Sequence, residues 1–146
     1  MPRYFIEVAY RGTNYSGSQK QQNANSIQSE IEKALNIFFK QPISLTGASR
    51  TDAGVHALQN FFHFDMEESI ELSPAVKGDL RGIAYRLNAI LPVDIAISNI
   101  LKVIKTAHCR FDAIEREYKY FIYSKKNPFL KDRAYFFPYK MEFGKL

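Results

Sequence analysis

The stretch Gly47-Ala48-Ser49-Arg50-Thr51-Asp52-Ala53-Gly54-Val55-His56-Ala57 gathers the side chains of this sequence best placed to do chemistry. Arg50 and Asp52 stand two residues apart. On an extended backbone such residues point the same way, so guanidinium and carboxylate can meet. The glycines and other small residues around them keep the segment slim and let a ligand approach closely. An ionised, reachable carboxylate beside a fixed cation can serve as a nucleophile or a general base. The same pair also fits a plain turn-stabilising ion pair, since structural pairs perturb carboxylates as catalytic ones do. Spacing alone leaves both readings open.

The elements that must position this loop follow from periodicity. Ile43-Ser44-Leu45 before it and Phe62-His63-Phe64 after it alternate apolar and polar, which predicts a strand on either side. Arg3 to Arg11 is dense in β-branched and aromatic residues and reads as a central strand. A polar, glycine-punctuated loop follows, running through Gln19, Gln21 and Gln22, whose amides can contact sugar and phosphate or simply face solvent. It is not a phosphate-binding P-loop, because no lysine follows Gly17. Ser26 to Phe39 is predicted as a helix with Ile27, Ile31, Ala34, Leu35 and Phe38 on one face and Glu30, Glu32 and Lys33 on others. Asn25 and Gln28 resemble a capping box, and Pro42 closes the segment. Ser73-Pro74 is predicted to open a second helix carrying Val76, Leu80, Ile83, Ala84 and Leu87, which Pro92 ends. Asp94 to Val103 and Phe111 to Tyr123 are predicted strands, the latter with Tyr118, Tyr120 and Ile122 on one face. The order predicts an α+β fold: a ferredoxin-like β-α-β-β-α-β unit with a largely antiparallel sheet and helices on one face.

A chain of 146 residues, 46% apolar and 24% charged, can bury a globular core. No apolar run approaches the ~20 residues that a membrane span requires, and Met1-Pro2-Arg3-Tyr4 leads straight into a strand without a signal-peptide pattern. The single cysteine, Cys109, excludes an internal disulfide and a zinc site built on cysteines, which points to a cytoplasmic setting. His56, His63 and His108 lack metal-ligand spacing; His63 and His108 read as packed or solvated, and His56 as structural or facing a ligand. The net charge of +5 is uneven. Residues 1–100 hold nine Lys and Arg against ten Asp and Glu, whereas residues 101–146 hold eleven against five. A basic, tyrosine-rich third suits a polyanion such as nucleic acid.

Arg50-Thr51-Asp52-Ala53-Gly54-Val55-His56-Ala57 resembles the signature of the TruA-type tRNA pseudouridine synthases. Further resemblance lies in Tyr10, Gly12, Thr13, Gly17, Gln19 and Gln21 after the first strand, and in Asn88, Leu91-Pro92 and Asp94-Ile95. Arg110-Phe111 with Ala113, and Arg116 with Tyr118 and Tyr120, complete it. The sequence departs from the pattern at Ser18, where the family has tryptophan, and at Ser49, where it has glycine. Loss of a packing contact at the first and an altered loop at the second are the expectations.

The resemblance implies that residues 1–146 form a single α+β domain, the N-terminal half of a pseudouridine synthase, with the C-terminal half absent. It implies an isomerase that converts uridines 38, 39 and 40 of the tRNA anticodon arm to pseudouridine, without metal or cofactor, as a homodimer in the full-length protein. Asp52 is then the catalytic nucleophile, Arg50 orients it and takes the space of the flipped base, and Tyr118 stacks on that base. Thr51, His56, Gln19 and Arg110 are the further substrate-binding candidates. The rival readings are a non-catalytic RNA-binding domain, with Phe62, Phe64, Tyr118 and Tyr120 as a stacking platform, or a dimerising fragment.

Overall fold

The computed structural model describes residues 1–70 and 79–139, and the chain forms two compact units, Met1–Ile114 and Glu115–Leu146. In the first, β1 (Arg3–Tyr10) alternates strictly: Tyr4, Ile6, Val8 and Tyr10 are buried and the residues between them are half-buried. That period of two puts one apolar row under the helices and leaves the other row on the opposite face. β1 lies between β3 (Ala57–Asp65) and β4 (Ile95–Val103), and β2 (Thr46–Gly47) is the edge strand beyond β3. All three pairings are antiparallel, giving the order β2-β3-β1-β4. α1 (Ile27–Phe39) joins β1 to β2 and α2 (Leu80–Ile90) joins β3 to β4, which is the ferredoxin-like arrangement. Apolar residues of both helices and the inner rows of the sheet form one core, centred on Tyr4, Ile6, Ile31, Leu35, Phe62, Phe64 and Leu87.

Local details differ from the expectations. α1 is capped by Ser26, whose Oγ accepts from Ser29 N while Ser29 Oγ accepts from Ser26 N, so the capping box sits one residue later than Asn25 and Gln28. Glu32 is not on a solvated face. It is 6% exposed, and its Oε1 accepts from Leu45 N at 3.0 Å, which fastens the chain entering β2 to the helix. The strand before the loop is Thr46–Gly47 rather than Ile43–Leu45, whose Ile43 and Leu45 are buried in the core without a ladder. α2 has Asp79 as its N-cap; the Ser73-Pro74 start and Val76 lie outside the described residues.

Two bulges reshape the sheet. In β4, Glu7 faces Asn99 and Val8 faces Ile97, so Ser98 is an extra residue that lets both Ile97 and Ile100 reach the core. The Asn88 side chain satisfies this bulge, donating to Ile97 O at 2.9 Å and accepting from Ile97 N at 2.7 Å. In β3, Val8 faces Asn60 and Tyr10 faces Ala57, so Leu58 and Gln59 together oppose one residue. Ala57 packs on the core and Asn60 bonds Tyr10, which turns both Leu58 and Gln59 to the outer face.

A strap, residues 104–112, lies over that outer face, from the start of β1 to the β2 edge. Arg3 Nη1 donates to Ala107 O, Cys109 N to His63 Nδ1, Cys109 Sγ to Thr46 O and Arg110 Nε to Gly47 O, so the strap is tied to β1, β3 and β2 in turn. The part of the face holding Glu7, Ala9, Gln59 and Phe61 keeps partial exposure, with Gln59 Nε2 donating to Glu7 Oε1 at 2.8 Å.

The second unit departs most from expectation. Only Ile122–Tyr123 of the predicted strand Phe111–Tyr123 is a strand (β5), paired in parallel with Tyr135–Phe136 (β6). Residues 111–120 are exposed and join no ladder among the described residues. Alternation supplies a strand's faces but not its hydrogen-bonding neighbour.

Candidate active site

The loop 48–56 connects β2 to β3 at the end of the sheet where β1 stops and β4 starts. Arg50 and Asp52 are both exposed, and among the described residues no ion pair joins them, contrary to the contact their spacing allows. The two residues are presented, not mutually neutralised. The backbone of their loop is fastened from below.

That fastening comes from the 12–18 segment. Ser18 N donates to Thr51 O at 3.0 Å, and Thr51 N donates to Ser18 Oγ at 2.8 Å. Gly54 N donates to Tyr15 O at 3.3 Å, and Gly12 N donates to His56 Nδ1 at 2.9 Å. Asp52 O accepts from Val55 N at 3.1 Å, closing a turn around Ala53 and Gly54. Such contact between two backbones requires glycine. A methyl group at Gly12 would press into the Val55 carbonyl, and one at Gly17 would stand 2.7 Å from Thr51 O. Gly17 also holds a φ of +91°, open to glycine and strained for other residues.

From the core side, Tyr10 OH and Thr51 Oγ1 are 2.8 Å apart, and Asn60 Nδ2 reaches Tyr10 OH at 3.2 Å and Ser49 O at 3.4 Å. Tyr15, 7% exposed, donates its hydroxyl to Asp94 at 2.5 Å, and Arg11 N donates to Asp94 O at 2.9 Å. Burial, then the Asp94 carboxylate, hold the Tyr15 hydroxyl well above the usual phenol range. The Asn88 and Asp94 portions of the sequence motif thus act as supports: one completes the β4 bulge and the other anchors the segment beneath the loop.

The predicted site residues divide accordingly. Arg50 and Asp52 project from the loop, and Gln19 is exposed beside Ser18. Thr51 and His56 turn inward, to Tyr10 and to Gly12 N. Arg110 is held at the β2 edge, its Nε 3.1 Å from Gly47 O, where the loop begins. Tyr118 is 61% exposed and belongs to the second unit. Phe62 and Phe64 are each 1% exposed, in the core, and cannot form a stacking platform. The Ser49 departure carries no backbone penalty, because its φ is not positive. Sequence reasoning named Tyr10 and Ser18 only as a match to the family pattern and a departure from it, and missed Asn60 and Tyr15 as supports of the loop. The available signal was a polar Asn60 at a core-facing strand position and a tyrosine, Tyr10, closing an apolar row.

The fold also gathers His63, His108 and Cys109, with one ligand atom from each lying within 4.8 Å of the others. His63 is buried, and burial with the Arg3, His108 and Arg110 charges lowers its pKa to about 4. Burial pushes the Cys109 thiol up. The donor set suits a divalent metal poorly: His63 Nδ1 accepts from Cys109 N, His108 Nδ1 accepts from Arg110 N, and Cys109 Sγ donates to Thr46 O. The cluster is a clasp that closes the strap on β2 and β3.

Fold and loop together define a ferredoxin-like α+β unit whose partly open sheet face ends at an exposed carboxylate beside an arginine. The sequence model of the tRNA pseudouridine synthases matches residues 6–112, and the chain belongs to that family. It is 46% identical over 143 residues to the protein named tRNA pseudouridine synthase A of Parabacteroides distasonis, covering 98% of this chain and 54% of that one. The protein of that name from Bacteroides thetaiotaomicron is 43% identical over 135 residues, covering 92% of this chain and 47% of its own length. The Staphylococcus aureus protein of that name is 36% identical over 146 residues, covering 99% and 52%. The chain therefore spans about half the length of the curated relatives it matches.

Proposed function

We propose that this chain supplies the aspartate-bearing part of an enzyme that isomerises uridine to pseudouridine in tRNA, at positions 38, 39 and 40 of the anticodon arm. The observation that carries the reading is the Asp52 loop: a solvent-facing carboxylate, not ion-paired to its neighbouring arginine, on a backbone fastened through Ser18, Tyr15 and Gly12. A nucleophile needs both access and fixed position.

In this reading the reaction breaks the bond from N1 of uracil to C1′ of the ribose and forms one from C5 to C1′, with the C5 proton lost and N1 protonated. It is redox-neutral and calls for no cofactor or metal. Asp52 attacks the ribose carbon or the base ring. A uridine in a stem must leave the stack to reach it, and Arg50 fills the gap and steers the carboxylate. Tyr118 stacks on the extruded base. Gln19 and Arg110 contact the RNA on either side of the loop, while Thr51 and His56 act through its shape. Residues 115–139 hold six Lys and Arg against three Asp and Glu, a balance that favours a polyanion. Among the described residues no helix is long and apolar enough to cross a membrane. The family resemblance supports a homodimer and a cytoplasmic setting. Since the chain spans half of its relatives, the 146-residue chain alone is expected to bind tRNA weakly and to turn over nothing measurable.

The test is Asp52→Asn in the protein as its gene encodes it, assayed on an anticodon stem-loop. Pseudouridine formation should vanish while tRNA affinity stays within about twofold, because the amide keeps shape and loses nucleophilicity. Residual activity within tenfold of the unaltered enzyme would rule out Asp52 as nucleophile. The RNA-binding rival predicts no isomerisation by either protein.

A further inference from the structure

We infer that Ser18 is a positioning residue for Asp52 and Arg50, its hydroxyl serving as the pin around which the loop turns; the inference rests on the function proposed above. Ser18 is 1% exposed. Its Oγ donates to Ser49 O at 3.3 Å and accepts from Thr51 N at 2.8 Å, and its own N donates to Thr51 O at 3.0 Å. One residue thus engages the last backbone acceptor before Arg50, the first donor after it, and the carbonyl of the Thr51–Asp52 peptide. With both adjoining peptides bound to Ser18 from below, the Arg50 side chain leaves on the far side and the path into Asp52 is set.

The pin is itself seated. Gln28 N donates to Ser18 O at 3.0 Å and Ile27 N donates to Gly17 O at 3.2 Å, so residues 17 and 18 occupy the N-terminus of α1. The Asp52 loop therefore rests on a helix that is built into the core through Ile27, Ile31 and Leu35, all fully buried. A hydroxyl is the chemistry the place requires: one group that both donates and accepts, on a side chain short enough to lie between two backbones. The family resemblance reads Ser18 as a missing tryptophan ring. The structure assigns it a hydrogen-bonding duty that a ring could not perform in this geometry.

Removing the hydroxyl leaves the Thr51 N–H without its acceptor and frees the peptides around Arg50. Small misplacements of reacting groups cost large factors in rate, so in the protein as its gene encodes it Ser18→Ala should lower the single-turnover rate by about 10- to 100-fold, with tRNA Kd changed less than about twofold. Ser18→Thr, which keeps the hydroxyl, should recover most of the rate. Asn36→Ala is the control for plain destabilisation: Asn36 Oδ1 accepts from Ile43 N at 2.7 Å on the other end of α1, away from the loop. It should lower Tm without lowering the rate of the folded enzyme.

Amide hydrogen exchange gives a second readout that does not depend on activity: the Thr51 N–H should exchange at least about tenfold faster in Ser18→Ala while the core amides of α1 do not. Should Ser18→Ala fail to fold, the isosteric pair Ser18→Thr and Ser18→Val poses the same question. A Ser18→Ala rate equal to that of Asn36→Ala, an unchanged Thr51 exchange rate, or Val matching Thr would overturn the inference. An unaltered protein, as its gene encodes it, that forms no pseudouridine at all would instead overturn the function on which it rests.

Discussion

Three glycines around the Asp52 loop separate backbone strain from backbone contact, and substituting each by alanine measures the two apart. Gly54 holds a φ of +81°, yet an added methyl would meet nothing within 4 Å. Gly54→Ala therefore carries conformational strain alone, about 1–2 kcal/mol. Gly12 is the reverse. Its φ is not positive, but a methyl there would lie deep inside the contact distance of the Val55 carbonyl oxygen. The two backbones would have to part by on the order of 1 Å, breaking the Gly12 N to His56 Nδ1 hydrogen bond of 2.9 Å. Gly17 combines both, with a φ of +91° and Thr51 O 2.7 Å away from the added carbon. Urea unfolding should thus rank Gly54→Ala as the mildest, with Gly12→Ala and Gly17→Ala each costing about 2–4 kcal/mol. On the function proposed above, single-turnover assays of the protein as its gene encodes it should separate them further. Displacing the loop by about 1 Å is worth up to ~100-fold in rate, so Gly12→Ala should lose far more activity than its folded fraction explains. Gly54→Ala costing as much stability as Gly12→Ala would refute the reasoning, since it would mean that close approach does not define this loop.

Two other perturbations test the supports. His63 is neutral in the fold, with a pKa of about 4 set first by burial and then by the cations around it, against 6.5 ordinarily. Between those values the unfolded chain binds a proton that the folded chain refuses, so stability falls as pH drops through that window. From pH 7.5 to pH 5, the unaltered protein should lose about 2 kcal/mol more than His63→Gln in urea titrations, and equal losses would refute a buried neutral imidazole. Asn88→Ala strips the Ile97 N–H and C=O of their partners at the β4 bulge, where Ile97 is 3% exposed. It should cost about 1–3 kcal/mol, and a change below about 0.5 kcal/mol would show that the bulge does not depend on that side chain.

What the sequence determined by itself was local. The alternation of β1, the apolar face of α1 and the strand after the loop were legible because each period is written over consecutive residues. Arg50-Thr51-Asp52 and its neighbours were legible because the whole word lies in one short segment, and the family it suggested is the one to which the chain belongs. The order of elements pointed to a ferredoxin-like unit with a largely antiparallel sheet, and the structure supplies its strand order, β2-β3-β1-β4. What only the tertiary structure decided depends on residues far apart in the chain. That Arg50 and Asp52 form no ion pair shows only in the folded loop, whose backbone is bonded to Ser18, 34 residues before the aspartate. Whether Glu32 faces water was settled by Leu45 N, a donor that comes against the helix only once the chain folds back on it. The predicted strand Phe111–Tyr123 reduced to Ile122–Tyr123 because a ladder belongs to two segments at once. His63, His108 and Cys109 met for the same reason, across a strap that no linear spacing announces. Periodicity encodes which face of a segment is apolar; it does not encode which backbone groups will stand opposite, and here those groups fasten the loop that carries Asp52.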